Sequence, residues 1–229
     1  MLLCTEFSCN FTKVSVNLVL LKYINKMRLI YLHGLDSDHN ALKAKMVDDF
    51  CQTHYPQITV IRPNLNLPPD DVVTLLKTLI GDGRNTVLMG SSLGGYFANL
   101  MSDKVGVPCV LLNPSIRPDL SFQRFLIDEF GDQILPDEAV IYTTTGGWDI
   151  KYGDLAWFTK NRLRVLHSNG VKVLLKMGDE LLDAKASLQF YKDKGAAVIA
   201  QDGGDHRMSD FAKNVAMAVG LAVEMGKQH

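Results

Sequence analysis

The sequence predicts an α/β fold: a mainly parallel central sheet with helices on both faces. Three observations carry this expectation. Short apolar runs alternate with stretches of helical periodicity along most of the chain. Several of those runs, 28–32, 86–89 and 107–112 among them, are apolar at nearly every position, as strands buried on both faces are. The residues that follow them are His, Gly, Ser, Asn and Asp, which suits the carboxyl ends of parallel strands, where ligands bind. With 229 residues, 47% of them hydrophobic, the chain can bury one sizeable core.

Residues 1–26 precede the pattern. The stretch 14–24 is apolar, but Asn17 and Lys22 interrupt it, and it is too short for a bilayer span. It also lacks the basic start and the small-residue cleavage site of a signal peptide. Met27 stands directly before the first good strand. We read 1–26 as a dispensable N-terminal extension, with an added edge strand over 14–21 as the alternative, and 27–229 as a single domain.

The first strand is Arg28–Leu32, running into His33-Gly34-Leu35-Asp36-Ser37. Ser37 or Asp38 is placed to cap a helix to about His54, with Leu42, Met46, Val47 and Phe50 inward. A short strand follows over 58–61. Pro63, Pro68 and Pro69 break the next loop, and Asp70 or Asp71 opens a helix closed by Gly81. The third strand, 86–89, leads into Gly90-Ser91-Ser92-Leu93-Gly94 and a helix to about Lys104. The fourth, 107–112, ends at Asn113-Pro114.

Over 115–169 the strand–helix rhythm weakens. Phe122, Phe125, Phe130, Trp148, Trp157 and Phe158 concentrate there. We expect this insertion as a set to form a cap or pocket wall, although any one of these aromatics taken singly is better explained by core packing. Alternation resumes with a strand at 171–176, a helix over 184–194 with Leu188 and Tyr191 inward, a last strand at 196–200 and a closing helix over 211–225.

Composition narrows the function classes. Lys and Arg number 24 against 25 for Asp and Glu, a net charge of −1, and no basic run reaches five residues, which argues against nucleic-acid binding. Cys4, Cys9, Cys51 and Cys109 form no Cys-x-x-Cys pair, so neither a zinc site nor a disulfide framework is expected; reduced thiols of a cytoplasmic protein fit better. The Gly-x-x-x-x-Gly-Lys-Ser/Thr phosphate loop is absent.

The chemistry-bearing residues fall at predicted strand ends. Gly90-x-Ser92-x-Gly94 between a strand and a helix is the layout of a nucleophile elbow, with Ser92 at a strained apex. Gly90 and Gly94 lack Cβ atoms, which lets strand and helix approach around the kink. By itself the pentapeptide is a weak signal. Asp179 after a later strand and His206 after the last one strengthen it, because Ser…Asp…His is the chain order of the α/β-hydrolase triad. Acyl transfer needs these types: a serine made nucleophilic by a base, His206, whose tautomer an acid, Asp179, holds. Glu180 and Asp183 lie close to Asp179, and Asp205 adjoins His206, where we read it as a turn residue. The amides of Leu35 and Leu93 are the candidate oxyanion donors. His33 and Gly34 are read as shaping the Leu35 loop. His39, His54, His167 and His229 have no motif context.

Together, Tyr31-Leu32-His33-Gly34, Gly90-Ser91-Ser92-Leu93-Gly94-Gly95-Tyr96, Asn113-Pro114-Ser115-Ile116-Arg117-Pro118, Gly178-Asp179-Glu180-Leu181-Leu182-Asp183 and Gly203-Gly204-Asp205-His206 resemble the YqiA/YcfP-like bacterial esterases of the α/β-hydrolase superfamily. The resemblance spans residues 27–221. It implies hydrolysis of a small-molecule acyl ester, with acyl-CoA thioesters as a further class, without metal or cofactor, and it places nucleophile, acid and base at Ser92, Asp179 and His206. The segment 130–154 departs from the family pattern. Two other readings stay open on the residues alone: a peptidase or carbon–carbon hydrolase on the same fold, and a non-catalytic binding module that keeps it.

Overall fold

The computed structural model describes residues 27–131 and 133–227. The extension over 1–26, with Cys4, Cys9 and the alternative edge strand, lies outside the described residues, as does His229.

Six strands form the central sheet: β1 (Arg28–Leu32), β2 (Thr59–Ile61), β3 (Thr86–Ser91), β4 (Cys109–Leu112), β7 (Val171–Lys176) and β8 (Ala197–Gln201). Their order is β2-β1-β3-β4-β7-β8, and every neighbouring pair is parallel. Successive side chains point to opposite faces. Leu29 and Tyr31 therefore face helices α1 (Leu42–His54) and α8 (Val215–Gly226), while Ile30 and Leu32 face α2 (Pro69–Ile80), α3 (Leu93–Val105) and α7 (Ala184–Asp193). Burying both faces explains the unbroken apolar runs of β3 and β4.

Between β4 and β7 the chain forms two short helices, α4 (Pro118–Ser121) and α5 (Gln123–Glu129), an antiparallel hairpin of β5 (Val140–Thr143) and β6 (Asp149–Lys151), and α6 (Tyr152–Lys160). The aromatics of this segment pack mostly on one another and on α3. Phe158 meets Tyr96, Phe122 and Trp157 at ring separations of 5.3, 5.5 and 5.3 Å, and Phe125 stacks on Tyr142 at 4.2 Å.

Two local expectations are corrected. Helix α1 begins at Leu42 behind Ala41, without a side-chain cap, because the Asp38 carboxylate is taken by the Asn40 N–H at 2.6 Å in a turn of its own. Its fully buried residues are Ala44, Val47 and Cys51; the expected Met46, Val47 and Phe50 do face the core, Met46 and Phe50 partly buried, while Leu42 is exposed. The closing helix is split: a 3₁₀ turn at Phe211–Lys213 precedes α8. Asn214 sits at the break, donating to the Asp210 carbonyl at 3.2 Å and accepting from Gln201 Nε2 at 2.8 Å.

Candidate active site

The chain leaves β1 for β2 on one side and reaches β3 on the other, so the crevice at their carboxyl ends is the switch point of the sheet. His33 and Gly34 follow β1, and Ser92 follows β3.

Ser92 has φ 55° and ψ −119°, a conformation that L residues rarely adopt. The turn closes because its flanks are bare. A Cβ on Gly90 would strike the Gly94 carbonyl, and a Cβ on Gly94 would strike the carbonyls of Leu32 and His33. Gly34 is tight but less so: a Cβ there would stand 3.2 Å from the Ser92 Cβ.

Ser92 Oγ lies 3.0 Å from His206 Nε2, and His206 Nδ1 lies 2.8 Å from Asp179 Oδ2. The sheet thus brings these three together from the ends of β3, β7 and β8. The Asp179 side chain is 3% exposed, and its other oxygen accepts the Leu181 and Leu182 N–H groups at 2.9 and 2.8 Å. A fully engaged carboxylate can only accept, so the ring proton sits on Nδ1 and Nε2 is left to accept from the serine.

The acids near Asp179 have separate tasks. Glu180 Oε2 accepts the His206 backbone N–H at 2.9 Å, and Asp183 caps α7 through the Ala186 N–H at 2.9 Å. Asp205 accepts the Ser209 N–H at 3.0 Å, which makes it the turn residue expected. Gly203 and Gly204, at φ 66° and 74°, bend the chain in front of it.

His33 is buried. It donates from Nδ1 to the Gly34 carbonyl at 2.8 Å and accepts the Leu65 N–H on Nε2 at 2.8 Å, which fixes the Gly34–Leu35 loop. Burial pushes its pKa below the ordinary histidine value, in keeping with a neutral structural ring. Leu35 and Leu93 line the same cavity as Ser92 and His206. Leu93 opens α3, so its N–H has no intrahelical acceptor, and the Leu35 N–H has no acceptor among the described residues. His39, His54 and His167 are exposed.

The cavity holds about 590 Å³. Of the aromatics in 115–169, Phe122 lines it, and Trp148 borders a smaller recess beside Leu35 and Leu93. Cys51 and Cys109 are free and buried away from it, and burial pushes the Cys51 thiol up to about 12.

Four residues support the site in roles the sequence reading did not assign. Asn113 Nδ2 donates to the carbonyls of Asp205 and His206 at 3.0 and 3.1 Å, and its Oδ1 accepts the Lys176 N–H at 2.8 Å. Lys176 Nζ pairs with Asp210 at 2.6 Å, its stem packed on Gly204. Asp36 takes the Tyr142 hydroxyl at 2.6 Å and the Thr145 N–H at 3.0 Å, tying the hairpin to the Leu35 loop. Asn113 alone had a signal, as the residue directly after a buried strand.

A six-stranded parallel sheet whose switch-point crevice bears a strained serine, then a carboxylate, then a histidine in chain order defines an α/β-hydrolase fold. Residues 28–223 match the family described as "Uncharacterised protein family (UPF0227)", and the chain belongs to that family. The resemblance to YqiA-like proteins read from the motifs is borne out at this level. A UPF0227 protein of Shewanella sp. (strain MR-4) is 25% identical over 169 residues, covering 72% of this chain and 82% of that one. Among solved structures, Est1E from Butyrivibrio proteoclasticus with ferulic acid bound superposes with TM-score 0.65 at 14% identity, covering 90% of each chain. Mouse alpha/beta hydrolase domain-containing protein 10 gives TM-score 0.60 at 22% identity, covering 88% of this chain and 90% of the other. Among the described residues no helix is long and apolar enough to cross a membrane.

Proposed function

We propose that this protein is a serine esterase that hydrolyses carboxylic esters, with acyl-CoA thioesters as a further candidate class, through an acyl-enzyme. The observation that carries the reading is the unbroken line from Ser92 Oγ to His206 at 3.0 Å and from His206 to Asp179 at 2.8 Å, opening on a cavity.

The steps follow from those contacts. His206 Nε2 takes the Ser92 proton as Oγ attacks the acyl carbon. Asp179 stabilises the imidazolium and keeps the ring in register. The Leu35 and Leu93 amides receive the oxyanion, each such donor being worth about 3 kcal/mol at the transition state. His206 then protonates the leaving alcohol or thiol, and a water activated by the same nitrogen releases the acid. No step calls on a metal or a cofactor. The segment 115–169 forms one wall of the acyl site through Phe122 and anchors the Leu35 loop through Tyr142.

A fluorophosphonate probe and a panel of para-nitrophenyl acyl esters and acyl-CoA thioesters test this. Ser92 is the expected site of labelling, and Ser92→Ala lowers kcat by ~10⁴-fold. Labelling without cleavage of any ester or thioester would instead favour a peptidase or carbon–carbon hydrolase. A folded protein that does not label would be a binding module.

A further inference from the structure

The cavity above Ser92 is unbalanced in charge. Lys43 of α1, Arg124 of α5 and Arg207, next to His206, all line it. Asp36 is the acidic residue in the same lining, and both of its oxygens are engaged by the hairpin. A chain with a net charge of −1 has no compositional reason for this excess.

The three cations are also weakly partnered, with Asp205 the acidic charge acting on Lys43. None of them forms an ion pair among the described residues. Lys43 Nζ donates to the Arg207 carbonyl at 2.6 Å, and Arg124 lies 5.0 Å over the Phe125 ring. Partial burial pushes the Lys43 ammonium down to about 8, with the Asp205 charge opposing that shift. Asp205 also accepts the Ser209 N–H at 3.0 Å. Lys43 is the partly buried one of the three, and the desolvation cost it carries is one that a bound anion offsets. Its hydrogen bonds to an anion are stronger than those to a neutral group.

We propose that the natural substrate is an ester carrying a second, anionic group, a carboxylate or a phosphate, which Lys43, Arg124 and Arg207 receive while the ester carbonyl meets Ser92. The assignment rests on the esterase reading above. The test separates a charge on the acyl side of the ester from one on the leaving-group side.

On the acyl side, the mono-para-nitrophenyl ester of adipic acid is compared with its neutral terminal amide. On the leaving-group side, para-carboxyphenyl butyrate is compared with para-carbamoylphenyl butyrate. At low ionic strength kcat/KM should favour one anionic ester over its neutral partner by roughly tenfold, the size of a charge-assisted contact. Added salt should shrink the ratio. The same ratio should fall towards one in Lys43→Gln and in Arg207→Gln; Arg207 is exposed, which guards against a variant that merely misfolds. Cleavage of neutral and anionic esters at equal rates overturns the anion site and leaves the esterase reading standing. A preference that persists in Lys43→Gln, Arg124→Gln and Arg207→Gln overturns the assignment to these residues. Failure to cleave any ester removes both readings.

Discussion

Asn113 holds the loop of His206 in place although the two residues are 93 positions apart, its amide donating to the His206 carbonyl at 3.1 Å and to the Asp205 carbonyl at 3.0 Å. The same side chain accepts from Lys176 N–H at 2.8 Å, at the end of the strand that leads to Asp179. One buried amide therefore spaces the acid loop from the base loop. Asn113→Asp keeps the acceptor for Lys176 but sets a charge against two carbonyl oxygens. We expect kcat to fall by roughly 100-fold with KM little changed, as for a displacement of about 1 Å in a reacting group. Steady-state kinetics on an aryl ester, with far-ultraviolet circular dichroism as the control for folding, check this.

Asp179→Asn offers a second reading of the same geometry. The amide oxygen can still accept from Leu181 and Leu182, so the loop should survive. Its NH₂ would face His206 Nδ1 and force the proton to Nε2, where it blocks transfer from Ser92. The expected loss in kcat is on the order of 10⁴-fold. Labelling of Ser92 by fluorophosphonate should slow in parallel, which a change confined to substrate binding would not produce.

Gly94→Ala tests the elbow itself. The new Cβ would meet backbone carbonyls of Leu32 and His33 rather than the flexible end of a side chain. Overpacking against such fixed atoms costs about 3 kcal/mol or more. Urea unfolding should show a lower midpoint with an unchanged slope.

The Lys176–Asp210 pair gives a pH dependence. The Lys176 ammonium, hydrogen-bonded to the carboxylate, holds the Asp210 pKa below the ordinary aspartate value. A depressed folded pKa means that the unfolded chain binds the proton more readily. The stabilisation is therefore complete above the unfolded value, about 3.9, and is lost as pH falls through the lower folded value. Asp210→Asn should flatten this acid limb of stability against pH. Urea midpoints collected between neutral and strongly acidic pH measure it.

The described core begins at Met27, which is buried and packs its thioether against Gly226. We expect a chain starting at Met27 to fold and to keep its ester hydrolysis. Loss of solubility or activity on deleting 1–26 would show that the extension belongs to the working protein.

Much of this molecule was legible in one dimension. Apolar runs and glycine-bounded turns located the sheet strands to within two residues at each end, because a strand buried on both faces leaves an uninterrupted signature. Gly90, Ser92 and Gly94 stood out for a similarly local reason: a sharp turn excludes Cβ atoms at set offsets from its apex. Helix α1 was harder, since its inward Ala44 and Cys51 are small and weakly apolar, and larger exposed residues such as Leu42 masked the true face.

What the sequence determined by itself was the α/β class, the order of its strand–helix units, and Ser92, Asp179 and His206 as candidates at strand ends. Only the tertiary structure decided that Asn113 ties two distant loops, that Asp36 holds the hairpin, and that Lys43, Arg124 and Arg207 share one cavity. The reason is physical. Periodicity and backbone sterics act over a few residues and so imprint themselves on the chain. Contacts among side chains from separate crossovers depend on strand order and layer packing, which leave no regular spacing to read.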